Sequence, residues 1–405
     1  MSTRRAKGSG SLRHLGGERW QLTVKTGGKR HSRVFKARNG TEAERQGAAV
    51  RVALMEDVRH VRTSEDADRE ERQRWTVERY VAHYFDKWAP YNLAATTRRR
   101  YRQISKNQVI PHIGKRRMAE VTPSDLAHLY ATLAQPGSSK RKGKTLSGLT
   151  IWHVHRFIEA VYTFAVEVDG DFETNPARKT KPNVVRESRK PPAVDVAEVE
   201  RLLAATKEGE PDLYSLLMVP AHLGTRRGET VALRWADVDF EGGSVTIRRS
   251  AAHTKADGMI VKSTKTGKVR TIPLAPDTLG ELKALMKAQR EHRIAQGPAW
   301  QGASSPADDY VCAAADGSVM NPDNYSHAFR DLAVRHGFAH ITPHVLRHAW
   351  VSQMIALGFD AVTIASMSGH SPDVLLTTYA HAFDARKREA MNALAEARKQ
   401  ARAAE

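Results

Sequence analysis

The chain has 405 residues, enough for two or three domains. It carries 64 Lys and Arg against 45 Asp and Glu, a formal net charge of +19. That excess points to a polyanionic partner, with nucleic acid the first reading and an acidic membrane surface the second. No apolar run approaches a membrane span, and the basic residues 1–5 lead into Gly, Ser and charge rather than the apolar core of a secretory signal. A single cysteine, Cys312, excludes an internal disulfide framework and any cysteine-based zinc site. Within Tyr310-Val311-Cys312-Ala313 it reads as buried and inert, and a cytoplasmic setting fits.

Residues 1–10 are basic and Gly/Ser-rich and are expected to be disordered. Residues 20–24 then alternate apolar and polar, Gly27-Gly28 marks a turn, 32–35 form a second strand and 11–13 a third. Thr41 with Glu44 reads as a capping box opening a helix over 43–57. Residues 58–74 are dense in charge, which suits a linker or a solvated helix. From Thr76 a helical segment begins, with Val77, Tyr80, Val81 and Tyr84 at helical spacing. A second helix starts near Thr96 and ends at Pro111-His112-Ile113-Gly114; a third follows Thr122-Pro123. A long fourth, over 145–168, places Ile151, Val154, Phe157, Ile158 and Val161 on one broad apolar face. Arg98, Arg99, Arg100, Arg102 and Lys106 crowd the second helix and are candidate phosphate contacts. Residues 138–144 make a basic loop, and 177–192, basic and Pro-containing, read as an interdomain strap.

In the last half, Asp195 caps a helix, and 212–223 form another that ends in the turn Gly224-Thr225-Arg226-Arg227-Gly228-Glu229. Strands at 244–247 and 271–274 bracket a hairpin region containing Lys262, Lys265 and Lys268. A charged amphipathic helix spans 276–296, and Asn321-Pro322-Asp323 starts the next. Pro343 sits where its missing N–H costs nothing, in a first helical turn, so His344 and Arg347 share a face. Asp360 caps a second short helix that Gly369 ends, and Ser371-Pro372 opens a third carrying Tyr379. Three short helices thus hold an Arg, two or three His and a Tyr. An Arg grips phosphate oxygens with two prongs, a His moves protons near neutral pH, and a phenol becomes a nucleophile once its charge is stabilised. Chemistry at a phosphodiester suits such a set. The His residues lack a carboxylate or second His at helical ligand spacing that is not already used in this set, so no metal site is expected. Residues 384–405, rich in Ala, Arg, Lys and Glu, read as a helical tail.

His344-x-x-Arg347, then Gly369-His370, then Tyr379 nine residues after that His, resembles the tyrosine recombinases, the phage integrase family. The turn with Arg226 and Glu229, followed by Leu233-Arg234-Trp235, and Lys265-Thr266-Gly267 ahead of Thr271-Ile272-Pro273-Leu274, are similar to the family's other motifs and stand in its order. Residues 111–126 resemble its core-binding domain. The N-terminal sheet and helix resemble the arm-binding domain of many phage and conjugative-element integrases, where a small sheet enters the major groove.

The resemblance implies a multidomain α+β chain. It would comprise an arm-type DNA-binding domain with a small β-sheet plus helix (1–60), a linker (61–75) and an all-helical core-binding domain (76–176). A second linker (177–192), a mainly helical catalytic domain with a small β-sheet and hairpin (193–383), and a C-terminal helical tail (384–405) that docks onto a neighbouring subunit would follow. It implies site-specific recombination through a 3′-phosphotyrosyl intermediate, with Tyr379 as nucleophile and Arg226 and Arg347 on the non-bridging oxygens. Lys265 is then the general acid, His344 a proton-transfer group, His370 a phosphate contact, and Glu229 a carboxylate orienting Arg226 or His344. Arg227 and His348 read as structural neighbours. No cofactor is implied. The implied partners are double-stranded DNA at core and arm sites, three further copies in a tetramer on synapsed DNA, and accessory DNA-bending or directionality proteins, in the bacterial cytoplasm at the nucleoid. A Xer-like resolvase is the first alternative, against which the N-terminal extension argues. A catalytically silent DNA-binding regulator is the second, against which the filled catalytic positions argue. A type IB topoisomerase shares the chemistry but lacks the arm domain.

Overall fold

Alternation of apolar and polar residues folds the start of the chain into an antiparallel sheet of β1 (Ser11–Gly16), β2 (Arg19–Thr26) and β3 (Lys29–Lys36). The computed structural model describes residues 10–26, 29–138, 145–185, 194–264, 267, 269–385 and 387–403. The predicted Gly27-Gly28 turn, most of the 138–144 loop and much of the 177–192 strap lie outside them. The chain divides into two units, residues 1–187 and 188–405.

In the first unit the inner face of the sheet buries Leu22 and Val24 with Leu12 and Phe35 against Val50 and Leu54 of α1 (Gly40–Gln73). The cap of α1 differs from the Thr41/Glu44 expectation. Asn39, extended at φ −151°, accepts the Glu42 N–H at 2.9 Å, and Glu42 accepts the Arg38 N–H at 2.8 Å. A short amide acceptor just outside the helix meets the orphan donors better than a Thr already inside the first turn. The helix then runs 34 residues, unbroken through the charged segment. Its end is tied down: Arg72 gives two hydrogen bonds, 2.7 and 2.8 Å, to buried Asp171, which also accepts from the Tyr80 hydroxyl at 2.6 Å.

A helical bundle follows: α2 (Val77–Lys87), α3 (Ala89–Asn92), α4 (Ala95–Ile104), α5 (Ile110–Ile113), α6 (Pro123–Leu133) and α7 (Gly148–Glu167). Thr76 caps α2, and Thr122 with Asp125 forms a reciprocal cap on α6. Between α4 and α5 the chain makes a π-helical turn at Ser105–Val109, just before Pro111, whose missing N–H removes a rung from a regular α ladder. The apolar face of α7 is buried through Ile151, Val154, Phe157 and Ile158.

The second unit contains α8 (Val196–Gly209), α9 (Ser215–Leu223), α10 (Arg227–Thr230), β4 (Val238–Asp239), β5 (Ser244–Ile247), β6 (Arg249–Thr254), β7 (Gly258–Ser263) and β8 (Arg270–Pro273). Helices α11 (Pro276–Gln296), α12 (Pro322–Arg335), α13 (Pro343–Ala356), α14 (Ala361–Ser368), α15 (Pro372–Ala385) and α16 (Lys387–Ala403) complete it. Strands order as β4-β5-β8, all antiparallel, with Val245 opposite Ile272; β6 and β7 form a separate hairpin. Both inward strand residues join Leu217 and Val219 of α9, Tyr325 and Phe329 of α12, and Leu346 of α13 in the main core. A smaller core holds Val351 and Ile355 of α13, Ile364 of α14, and Leu375 and Tyr379 of α15. Cys312 is buried, donates to the Ser215 carbonyl at 3.3 Å, and burial pushes its thiol up to about 12, so it carries no thiolate at neutral pH. Among the described residues no helix is long and apolar enough to cross a membrane.

Candidate active site

Two left-handed glycines shape the site. Gly224 ends α9 at φ +56°, and a Cβ there would lie 2.7 Å from the Trp350 ring. Its carbonyl accepts from Arg347 Nη1 at 2.6 Å. The following turn places Arg226 in extended conformation ahead of α10, and Glu229, in the first turn of α10, accepts the Arg226 N–H at 2.9 Å. Gly369 ends α14 at φ +70°; a Cβ there would approach Arg270 Nη1 to 2.9 Å and Arg226 Nη1 to 3.0 Å.

The C-terminus of α14 gathers three guanidinium groups. The Met367 carbonyl accepts from Arg270 Nε at 2.7 Å, the Ser368 carbonyl from Arg347 Nη2 at 2.6 Å, and the Gly369 carbonyl from Arg226 Nη2. A helix C-terminus has unsatisfied carbonyls and partial negative charge, so cations are favoured there. Among the described residues one carboxylate stands among the three. Glu229, 1% exposed, accepts Arg226 Nη1 at 2.8 Å and both terminal nitrogens of Arg270 at 3.2 and 2.7 Å. Burial pushes its carboxyl up, but the hydrogen bond and charge of Arg270, then the N–H and charge of Arg226, more than offset this and hold it below the usual carboxylate value. Arg347, 2% exposed, has no carboxylate within ion-pair distance among the described residues. Burial, then the charge of Arg226, pulls it well below its ordinary value. The site therefore holds a positive surplus that an anion would relieve.

Facing the arginines is a line of rings. On α13 the rings of His344 and His348 lie 4.3 Å apart, with their Nε2 atoms at 3.0 Å. His348 Nδ1 meets the Tyr379 hydroxyl at 2.5 Å. Tyr379, 3% exposed, sits where α15 loses helical geometry, at φ −112° and ψ 19°. His370 lies within 3.1 Å of Arg347 Nη2 and, through Nδ1, 3.0 Å from the Ser368 hydroxyl. Burial first, then the charge of Arg347, takes His370 down to about 3; burial, then His344 and Arg347, takes His348 to about 4; burial, then the charges of Arg347 and Arg226, lowers His344. Burial raises the Tyr379 phenol to about 12, with Arg347 acting in the opposite sense. At neutral pH the imidazoles are uncharged and the phenol keeps its proton.

Of the residues singled out in the sequence, Arg226, Glu229, His344, Arg347, His370 and Tyr379 come together here. Lys265 and Lys268 lie outside the described residues, and Lys262 is exposed on β7. Sequence reasoning missed two members. Arg270 stands just before the strand expected at 271–274 and has no role in the sequence reading; it is the first residue of β8, and its pairing with Glu229 spans 41 positions, which no local pattern reports. His348 reads from the sequence as a structural neighbour, although its spacing of four from His344 puts both on one helix face. In the other unit Arg99, Arg100, Arg102 and Lys106 are exposed on α4 and the turn after it. Arg98 is half-buried and donates to the Pro90 carbonyl at 2.9 Å, and Arg102 lies 5.5 Å from the centre of the Phe85 ring.

The model of the phage integrase family matches residues 193–386, and that of the phage integrase N-terminal SAM-like domain matches 76–134. A XerC-like tyrosine recombinase of Caldanaerobacter subterraneus subsp. tengcongensis is 22% identical over 309 residues, which cover 73% of this chain and 75% of that one. An integrase of Streptomyces ambofaciens is 26% identical over 308 residues, 72% of this chain and 73% of that one. The fold is similar to that of the Tn1549 transposon integrase in complex with a circular intermediate DNA, with TM-score 0.63 and 20% identity over 79% of this chain and 99% of that one. The family's two domains thus fall on the helical bundle and on the unit that assembles the arginines around a buried tyrosine, and the chain belongs to the phage integrase family, the tyrosine recombinases, which cut and rejoin DNA at specific sites.

Proposed function

We propose that the chain is an integrase in which Tyr379 attacks the scissile phosphate, forming a 3′-phosphotyrosyl bond and freeing a 5′ hydroxyl. The gathering of Arg226, Arg347 and Arg270 on three successive carbonyls at the end of α14, with the Arg347 charge acting on Tyr379, carries this reading. A phosphorane-like transition state holds more negative charge than the phosphate it comes from. Fixed guanidinium groups with one carboxylate among them therefore favour it over the ground state. Arg226 and Arg347 hold the non-bridging oxygens, Glu229 and Arg270 fix Arg226, and His370 bonds the phosphate. Lys265, in the segment after β7, protonates the leaving 5′ oxygen. Each step exchanges one phosphodiester for another, so the chemistry needs no high-energy cofactor.

The N-terminal sheet favours integration over Xer-like resolution, where the chain's XerC-like relative would otherwise point. Its face away from α1 carries Arg13, Arg19, Lys25, Arg30 and Lys36, with Arg19 opposite Lys36 and Lys25 opposite Arg30. Like charges directly opposed destabilise a sheet, and a phosphate backbone offsets that cost. We therefore assign this face to arm-site DNA, the cations of α4 to core-site DNA, and the assembled form to a tetramer on synapsed DNA helped by DNA-bending or directionality proteins. A nicked DNA carrying the element's own core site, run on a denaturing gel, tests the chemistry. A protein–DNA adduct is expected from the wild type and none from Tyr379→Phe, while both bind DNA alike. An adduct with Tyr379→Phe overturns the nucleophile assignment.

A further inference from the structure

We propose that His348 is a catalytic residue: it takes the proton from the Tyr379 hydroxyl and passes it through His344 to solvent. This rests on Tyr379 being the nucleophile.

The geometry supplies an acceptor and an exit. Tyr379 is buried, and its hydroxyl is held at 2.5 Å by His348 Nδ1, not by His344. The ring of His370 is centred 6.3 Å from that of Tyr379 and is engaged by Ser368 and Arg347. His348 Nε2 lies 3.0 Å from His344 Nε2, and His344 is exposed. One arrangement of protons satisfies all three groups. The phenol donates to His348 Nδ1, neutral His348 carries its proton on Nε2, and that proton donates to His344 Nε2.

In the step itself the phenol O–H bond breaks as its oxygen bonds to phosphorus. The proton goes to His348 Nδ1, the Nε2 proton of His348 goes to His344, and His344 releases one to water. The P–O5′ bond breaks, and its electron pair takes a proton from the leaving-side acid, Lys265 in our assignment. Burial and the charge of Arg347 keep both imidazoles neutral, ready to accept. The same surplus makes full transfer unfavourable before an anion arrives. A phosphate among the arginines offsets that charge, so the phenol is activated only when DNA is bound.

The test is single-turnover cleavage of nicked DNA by full-length protein carrying His348→Asn or His348→Ala. Asn offers an acceptor near the Nδ1 position yet cannot take the proton. Both variants should cleave about 100-fold or more slowly with unchanged DNA binding, and added imidazole should speed His348→Ala. A substrate with sulfur at the bridging 5′ position, whose leaving group needs no protonation, should leave the defect in place. Cleavage by His348→Asn within a few-fold of wild type, or recovery on the sulfur substrate, overturns the proposal. A second measurement needs no variant fold: ¹⁵N shifts of His348 in the wild-type protein should report a proton on Nε2, and a proton on Nδ1 overturns it. An adduct that survives Tyr379→Phe would instead fault the underlying reading, so the two failures are distinguishable.

Discussion

Replacing Arg270 with Met removes one of the two guanidinium groups that hold Glu229. The side chain is 8% exposed and Glu229 1%, so little solvent is at hand to replace what is lost. Three hydrogen bonds disappear: those of 3.2 and 2.7 Å to Glu229, and that of 2.7 Å to the Met367 carbonyl. Breaking a buried pair by deleting one partner costs about 3–5 kcal/mol. Arg226 still holds Glu229 through its N–H and Nη1 at 2.9 and 2.8 Å, so the low end applies, about 3 kcal/mol. The loss has a pH signature. In the wild type the Glu229 pKa is depressed, so its contribution is present above the ordinary carboxylate range and fades as pH falls through the folded value. In Arg270→Met, burial pushes that carboxyl up instead, and protonation relieves it. Calorimetric melting of the full-length variant should show the second unit strongly destabilised at pH 7.5, with the gap to wild type narrowing at pH 5. A variant that melts with the wild type at pH 7.5, or a gap that is the same at both pH values, refutes the reasoning.

Gly224→Ala should destabilise the same unit by roughly 2 kcal/mol or more, from about 1–2 kcal/mol for a left-handed Cβ-bearing residue and an added contact 2.7 Å from the Trp350 ring; thermal melting checks it, and an unchanged midpoint counts against the turn geometry. Arg19→Ala with Lys36→Ala should flatten the dependence of log K on log salt for arm-site DNA by about 1.8, two phosphates at about 0.9 each, while core-site cleavage stays as it was. An unchanged slope places the arm site elsewhere.

The sequence shows most clearly what is decided within a few residues. The caps at Thr76, Asp195, Asn321 and Asp360 stand where a short acceptor precedes a helix, and the glycines at 224 and 369 stand where left-handed backbone is needed. His344, Arg347, His370 and Tyr379 were visible because they lie on or between three consecutive helices, so their spacing along the chain constrains their distance in space. The unbroken α1 was not visible, because a run of mixed charge with few apolar groups gives the same signal for a linker as for a solvated helix. The Arg270–Glu229 pair was not visible because it joins α10 to the start of β8 across 41 positions. The role of the end of α14 in orienting the arginines left almost no trace. Met367, Ser368 and Gly369 act through their carbonyls, and a carbonyl is the same for every residue type. Two of the three also have identities that the site uses: Ser368, whose hydroxyl meets His370, and the glycine, which must clear Arg226 and Arg270. The end of α14 thus orders the cations by backbone geometry, and this part of the site follows from where the helix stops rather than from which side chains it carries.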